Sequence, residues 1–292
     1  MKSIIKHALL ALLICLSNSN ISSANDESVI KIAMLHLELQ YADLEYNAAL
    51  IESGIELAAQ KGADWIMTPE LSLTGYRFDL KIGTDWISSG PDKYVKRVQL
   101  LAKKYNVSIF LSHLERVEIA SKPEDLEESE IFNTLFVIDP SGEIIGRHKK
   151  INIIPISESW SSAGTKATLV NVGHHKVGLL ICADAWPNKH AQNLKEQGAD
   201  IILSSASWAP GEYGPVDTWE KRSQETGLPI VVNNRTGVER QFDLSRSVSV
   251  VSYQGGRVLS HHSPSSHLVV FEWDMKRNIM LSQNTYEMSY KF

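Results

Sequence analysis

The sequence is short of cysteine. Only Cys15 and Cys182 occur in 292 residues, too few for a disulfide-stapled scaffold. An excess of positive charge is also missing. Twenty-nine lysines and arginines face 34 aspartates and glutamates, for a formal charge of −5. The basic residues are scattered, so the chain lacks the electrostatic footprint of a nucleic-acid or anionic-membrane binder. No low-complexity tract, charge block or hydrophilic linker interrupts its body. The apolar stretch "ALLALLICL" near the start is shorter than the roughly 20 residues that cross a bilayer. With 43% hydrophobic and 22% charged residues, the composition is that of an ordinary globular chain.

The first residues form a pattern of their own. "MKSIIKH" is a basic leader, the apolar stretch follows, and "SNSNISSA" is polar and small. Ser22 and Ala24 occupy the −3 and −1 positions of an A-x-A-like cleavage site. Residues 1–24 therefore read as a secretory signal, and the mature protein as periplasmic or secreted and free of the membrane. An uncleaved anchor is the alternative; lipidation at Cys15 is disfavoured because Ile14, not a small residue, precedes it. Cleavage leaves Cys182 as the sole cysteine. A buried, inert thiol packed as a small hydrophobe accounts for it on its own. A reactive thiol is the alternative.

The body alternates strand and helix. "VIKIAML" (29–35) predicts a strand. Asp43 then caps a helix whose Leu50, Ile51, Ile55 and Ala58 share a face, and Gly62 ends it. "ADWIMT" (63–68) is a strand, residues 91–106 are an amphipathic helix, and "VSIFLS" (107–112) is a strand again. Residues 133–150 read as a hairpin turning at Asp139 to Gly142. The segment 118–130 is acidic and loop-like. Two stretches recur in the same order. "QKGADWIMTPE" (60–70) matches "EQGADIILSSA" (196–206), and "FVIDPSGEIIG" (136–146) matches "VVSYQGGRVLS" (250–260). This points to a duplicated unit with buried sheets and outer helices. One domain, 25–275, is expected. A polar and aromatic tail, 276–292, is expected to wrap the surface or a partner subunit.

Three stretches place a reactive side chain at a strand end. In "WIMTPELSLTGY" Pro69 breaks the strand, and Glu70 stands beside apolar residues, where a carboxylate is costly unless paired. A carboxylate at a helix N-terminus is the simpler alternative. In "GRHKKINIIP", strand alternation turns Lys149 and Lys150 to opposite faces, so one can be solvated while the other points inward. A surface basic cluster is the alternative. In "VGLLICADAWP", Cys182 ends a strand, and Pro187 suits the first turn of a helix. A nucleophile at such a turn is exposed, with backbone N–H groups beside it for an oxyanion. Thiolate formation needs a base or a nearby cation. No histidine sits in a pattern suggesting that role; His174–His175 and His261–His262 read as solvated loop residues. Glu70 could take the thiol proton and Lys150 stabilise the thiolate.

With these motifs in view, the chain resembles the nitrilase, or carbon–nitrogen hydrolase, superfamily over about residues 29–273. The likeness rests on "PELSLTGY", "GRHKKINI" and "GLLICADAWP" in order. "AAQKGADWIMTPE", "FNTLFVIDPSGEIIG", "QGADIILSSASW" and "VVNNRTG" support it. It implies an α/β fold, a four-layer α-β-β-α sandwich of two pseudo-symmetric halves, pairing as a homodimer or higher oligomer. It implies hydrolysis of a non-peptide C–N bond through a thioester, with a Glu70–Lys150–Cys182 triad and an oxyanion held by Lys150 and the Ala183 N–H. Glu158 matches a supporting glutamate. No metal or organic cofactor is needed, and the partner is a small linear amide or N-carbamoyl compound.

The sequence departs from the family pattern in places. His148 and Lys149 stand where Tyr-Arg is usual, and Asn152 where a histidine is common. The segment "CADAWPNKH" is shortened and lacks a glutamate. Asp184 resembles the amidase and carbamoylase branches, making nitrile hydrolysis less favoured. An acyltransferase or pantetheinase-like activity and a non-catalytic exported binding protein remain alternatives. Trp160, Trp186 and Trp208 are expected to line the pocket, although core packing explains each equally well. Tyr76 reads as structural.

Overall fold

The computed structural model describes residues 28–119, 129–212 and 214–288. The leader expected at 1–24 and most of the acidic loop expected at 118–130 lie outside the described residues.

The first half begins with β1 (Val29–His36), α1 (Leu44–Gln60) and β2 (Trp65–Met67). A single turn, α2 (Asp79–Ile82), precedes α3 (Lys93–Tyr105) and β3 (Ser108–Glu118). β4 (Ser129–Ile138) and β5 (Ile144–Lys149) form the hairpin. The second half opens with β6 (Thr168–Val172) and β7 (His175–Ile181), then a 3-10 turn, Cys182–Ala185. α4 (Asn188–Glu196), β8 (Ile201–Ser205), α5 (Thr218–Thr226) and β9 (Ile230–Asn233) follow. A small hairpin of β10 (Val238–Glu239) and β11 (Phe242–Asp243) precedes β12 (Ser249–Tyr253) and β13 (Gly256–His261). The chain closes with β14 (His267–Asp274) and β15 (Ile279–Glu287).

These strands build two large sheets. One runs β15-β14-β1-β2-β3-β4-β5, the other β13-β12-β9-β8-β7-β6. β1-β2-β3-β4-β5 and β7-β8-β9-β12-β13 follow the same chain order, with β14 and β6 as their antiparallel neighbours, so the sequence repeat is a structural one. In both, three central strands are parallel and the flanking ones antiparallel. The shared "GAD" has a physical reason. Asp64 accepts the Lys31 backbone N–H at 2.8 Å, and Asp200 accepts that of Lys176 at 2.7 Å. Each aspartate fastens the start of one parallel strand to its neighbour.

Strand alternation sets the layers. Ile32, Met34, Met67, Phe110 and Leu135 join one core with Leu179, Ile201 and Val231 of the second sheet. Ala33, Leu35, Ile66, Ile109 and Phe136 turn the other way. They pack on Leu50, Ile51 and Ile55 of α1 and Val95 and Val98 of α3. On the second sheet, Gly178 of β7 lets α4 come close: an added Cβ would stand 2.9 Å from Leu194. The result is the α-β-β-α sandwich.

Two expectations are revised. The segment expected as a wrapping tail contributes β15, which pairs antiparallel with β14 from His267↔Glu287 to Asp274↔Ile279 and forms an edge of the larger sheet. His261 is not a solvated loop residue. It ends β13, half-buried, with its ring 5.1 Å from that of His36.

Candidate active site

β2 stops at Met67, and Thr68-Pro69 carry the chain into a turn. That turn is pinned on β3: Ser112 Oγ accepts the Leu71 N–H at 3.0 Å, and the Ser112 carbonyl accepts the Ser72 N–H at 3.2 Å. Leu71 takes a positive φ of 50°. Glu70 is thereby turned into the sandwich, and no helix begins there. Lys150 follows β5 directly, its N–H bonded to the Asn133 carbonyl at 2.8 Å. Lys149 faces the other way, half-buried, its ammonium 3.6 Å from the centre of the Phe132 ring. Alternation thus sends one lysine outward and one inward.

The inward groups meet. Lys150 Nζ lies 2.7 Å from Glu70 Oε1 and 2.8 Å from both carboxylate oxygens of Glu158. All three side chains are 0% exposed. Asn133 Nδ2 ties the carboxylates together, donating to Glu70 at 2.8 Å and to Glu158 at 3.1 Å. The Ile154 N–H holds the second Glu158 oxygen at 2.8 Å. The Ser207 N–H donates to Glu70 Oε2 at 2.9 Å.

Cys182 opens the 3-10 turn after β7 with a φ of +48°. That left-handed conformation is uncommon for a residue with a side chain and lies at a site where strain recurs. The turn is braced from several sides. Arg222 of α5 donates to the Ala185 carbonyl at 3.2 Å and to that of Trp186 at 2.6 Å. Asn152 donates to the Ala183 carbonyl at 3.0 Å.

Burial and charge set the protonation states. Burial works to lower the Lys150 pKa, but Glu70 and Glu158 outweigh it and hold it well above its ordinary value. The group stays an ammonium. Burial raises the Glu70 pKa, and Lys150 only partly offsets this. Burial, with the Glu70 carboxylate, pushes the Cys182 thiol well above its ordinary range against the pull of Lys150. The resting arrangement is a neutral thiol beside a carboxylate of raised basicity. Such a carboxylate can take a proton as the sulfur attacks, and the ammonium can meet the charge that develops.

A cavity of about 530 Å³ opens onto Cys182. Ala183, Trp186 and Trp208 line it, as does Tyr76. The Tyr76 ring centre is 5.7 Å from Lys150 Nζ, so it faces the site. Trp160 is a correction. It packs instead against Phe78, ring to ring at 4.9 Å, in a satellite cluster with Trp86 and Ile87. Its side chain turns to the core beneath α2, and the pocket wall forms without it.

Two contributors carry little signal in the sequence. Asn133 is a polar side chain inside a buried strand, which demands partners, and that was its only signal. Ser207 acts through its backbone N–H, which no side-chain pattern reveals.

Residues 31–276 match the family described as carbon-nitrogen hydrolase. A citrullinase of Francisella tularensis is 30% identical over 80% of this chain and 82% of its own. A 2-oxoglutaramate amidase of Bacillus subtilis is 25% identical over 85% of this chain and 92% of its own. Among solved structures, an amidase of Nesterenkonia sp. AN1 superimposes with a TM-score of 0.69 at 20% identity, covering 85% of this chain and 91% of that one. That structure shows covalent addition of the acetamide moiety of fluoroacetamide at its active-site cysteine.

Proposed function

The chain belongs to the carbon–nitrogen hydrolase family, and from that premise we propose that it hydrolyses a small linear amide or N-carbamoyl compound through a thioester at Cys182. One observation carries the reading. Cys182 opens onto the cavity and its thiol feels the charges of a buried Glu70–Lys150–Glu158 cluster. The covalently modified cysteine of the Nesterenkonia amidase supports Cys182 as the nucleophile. The citrullinase and 2-oxoglutaramate amidase relatives support ureido and amide substrates.

In the first half-reaction the Cys182 thiol gives its proton to Glu70 as Sγ bonds to the substrate carbonyl carbon. Lys150 Nζ and the Ala183 N–H hold the oxyanion. Glu70 returns the proton to the nitrogen, the C–N bond breaks, and ammonia or an amine leaves. In the second half-reaction Glu70 takes a proton from water as its oxygen attacks the thioester. The C–S bond breaks, and the proton returns to sulfur. Glu158 and Asn133 hold Lys150 and Glu70 in place throughout.

The test is ammonia release from a panel of amides, ureido acids and nitriles, with wild type beside Cys182→Ala. The wild type is expected to release ammonia from an amide or ureide, and the variant from none. Turnover retained by the variant overturns the thioester mechanism.

Export by cleavage after Ala24 and pairing into a homodimer complete the proposal. The leader pattern of residues 1–24 supports the first, and the family likeness the second. N-terminal sequencing of the expressed protein and its mass in solution test them.

A further inference from the structure

The cavity above Cys182 says which end groups suit a substrate, given the hydrolytic reading on which this inference rests. Its wall is largely aromatic and apolar, with Tyr76, Trp186, Trp208, Phe242 and Leu244. Among the described residues that line it, Glu212 alone carries a charge. No lysine or arginine joins it there. The charges of Glu70, Lys150 and Glu158 are fully buried and bonded to one another.

Two residues that line the cavity differ in depth. Cys182 is 4% exposed, whereas Glu212 is an exposed residue of the segment following Ser207. A substrate whose carbonyl reaches the sulfur therefore runs along the aromatic wall, and its far end points toward the mouth. A carboxylate at that end meets no cation and is repelled by Glu212. An ammonium meets a carboxylate of opposite sign. It also meets two indole rings, those of Trp186 and Trp208, whose centres stand 5.2 Å apart and whose π-faces attract cations.

We propose that this site selects amides or ureides bearing an ammonium at the end remote from the scissile bond, and disfavours those ending in a carboxylate, with Glu212 as the specificity-determining residue.

The experiment compares three straight-chain primary amides of matched length: pentanamide, 5-aminopentanamide and 4-carboxybutanamide. kcat/KM is measured for wild type and Glu212→Gln, and binding to Cys182→Ala by calorimetry. In wild type the ammonium form is expected to exceed the neutral one by about fivefold, the scale of an exposed ion pair with an aromatic neighbour. The carboxylate form is expected to fall below the neutral one. The preference shrinks in high salt, and Glu212→Gln brings the three amides together. A preference for the carboxylate form, or one that Glu212→Gln leaves unchanged, overturns the proposal. Equal turnover of all three amides defeats the selectivity alone. Selective binding of the ammonium form to Cys182→Ala, with no turnover of any amide by wild type, upholds the selectivity and defeats the hydrolytic reading.

Discussion

Nε2 of His148 lies 2.9 Å from Oδ2 of Asp184, with both side chains wholly shielded from solvent. The first residue stands two before Lys150, the second two after Cys182. Asp184 does more than meet the imidazole. It accepts the Ile181 N–H at 3.0 Å, the Ile151 N–H at 2.9 Å and the Asn152 N–H at 2.7 Å. One buried carboxylate thus fastens the backbone after Lys150 to the backbone before Cys182. Burial opposes its ionisation, but His148 and the Asn152 N–H outweigh this and keep its pKa below the ordinary value.

Asp184→Ala is expected to cost about 3–5 kcal/mol of folding stability, because it strands a buried imidazole and three backbone donors. Urea unfolding measures this. An unchanged midpoint at unchanged slope would show that the clamp carries little.

Iodoacetamide is expected to alkylate the folded protein at Cys182 and abolish activity in proportion to labelling. Peptide mass mapping locates the adduct. A folded wild type whose thiol resists labelling would mean that Cys182 is an inert core residue. The cavity that opens onto it argues otherwise.

Glu70→Gln keeps an oxygen for Lys150 and Asn133 but removes the proton acceptor. A loss of about 10²–10⁴ in kcat/KM is expected, the scale of general-base catalysis, and circular dichroism checks that the variant is folded. In the wild type the acid limb of kcat/KM reports protonation of Glu70, coupled to its neighbours. Because burial raises that pKa above 4.5, activity is expected to fall at a higher pH than for an ordinary glutamate. A pH–rate profile flat down to pH 4 would contradict the assignment.

His36 is buried, with its pKa lowered to about 3 by burial and by His261, with smaller contributions from His267 and His262. His261 is lowered to about 4 by burial and by His267 and His262. Both are neutral in the folded protein but bind protons near 6.5 once unfolded. The unfolded chain therefore holds more protons across this interval. Stability is expected to fall as pH drops from about 6.5 toward 3. Replacing His36 with asparagine, which can still bond Ser249 Oγ, should flatten that slope. Urea midpoints between pH 4 and 7 decide this, and a slope identical in wild type and variant would rule it out.

Much of this was legible along the chain because it is governed by local rules. Alternation of apolar and polar residues sets which faces of β1 to β4 are buried, and the two "GAD" stretches mark the same strand start in each half. The caps are local too: Asp43 and Asp92 accept the backbone N–H groups of the first turns of α1 and α3. The strand β15 was not legible because an edge strand has one hydrogen-bonding neighbour and little apolar demand. Its residues are all exposed or half-buried.

The sequence by itself determined that Glu70, Lys150 and Cys182 stand at strand ends, that Lys150 and Lys149 face oppositely, and that the fold is a repeat. Those are properties of spacing and alternation. The tertiary structure alone decided their meeting: Lys150 reaches Glu70 across 80 positions of chain, and Ser207 reaches Glu70 across 137. It also decided that Trp186 and Trp208, and not Trp160, line the cavity that opens onto the thiol. Which wall an indole joins depends on how two sheets stack and where a loop closes over them. No run of neighbouring residues encodes that, because the interacting surfaces come from opposite halves of the molecule.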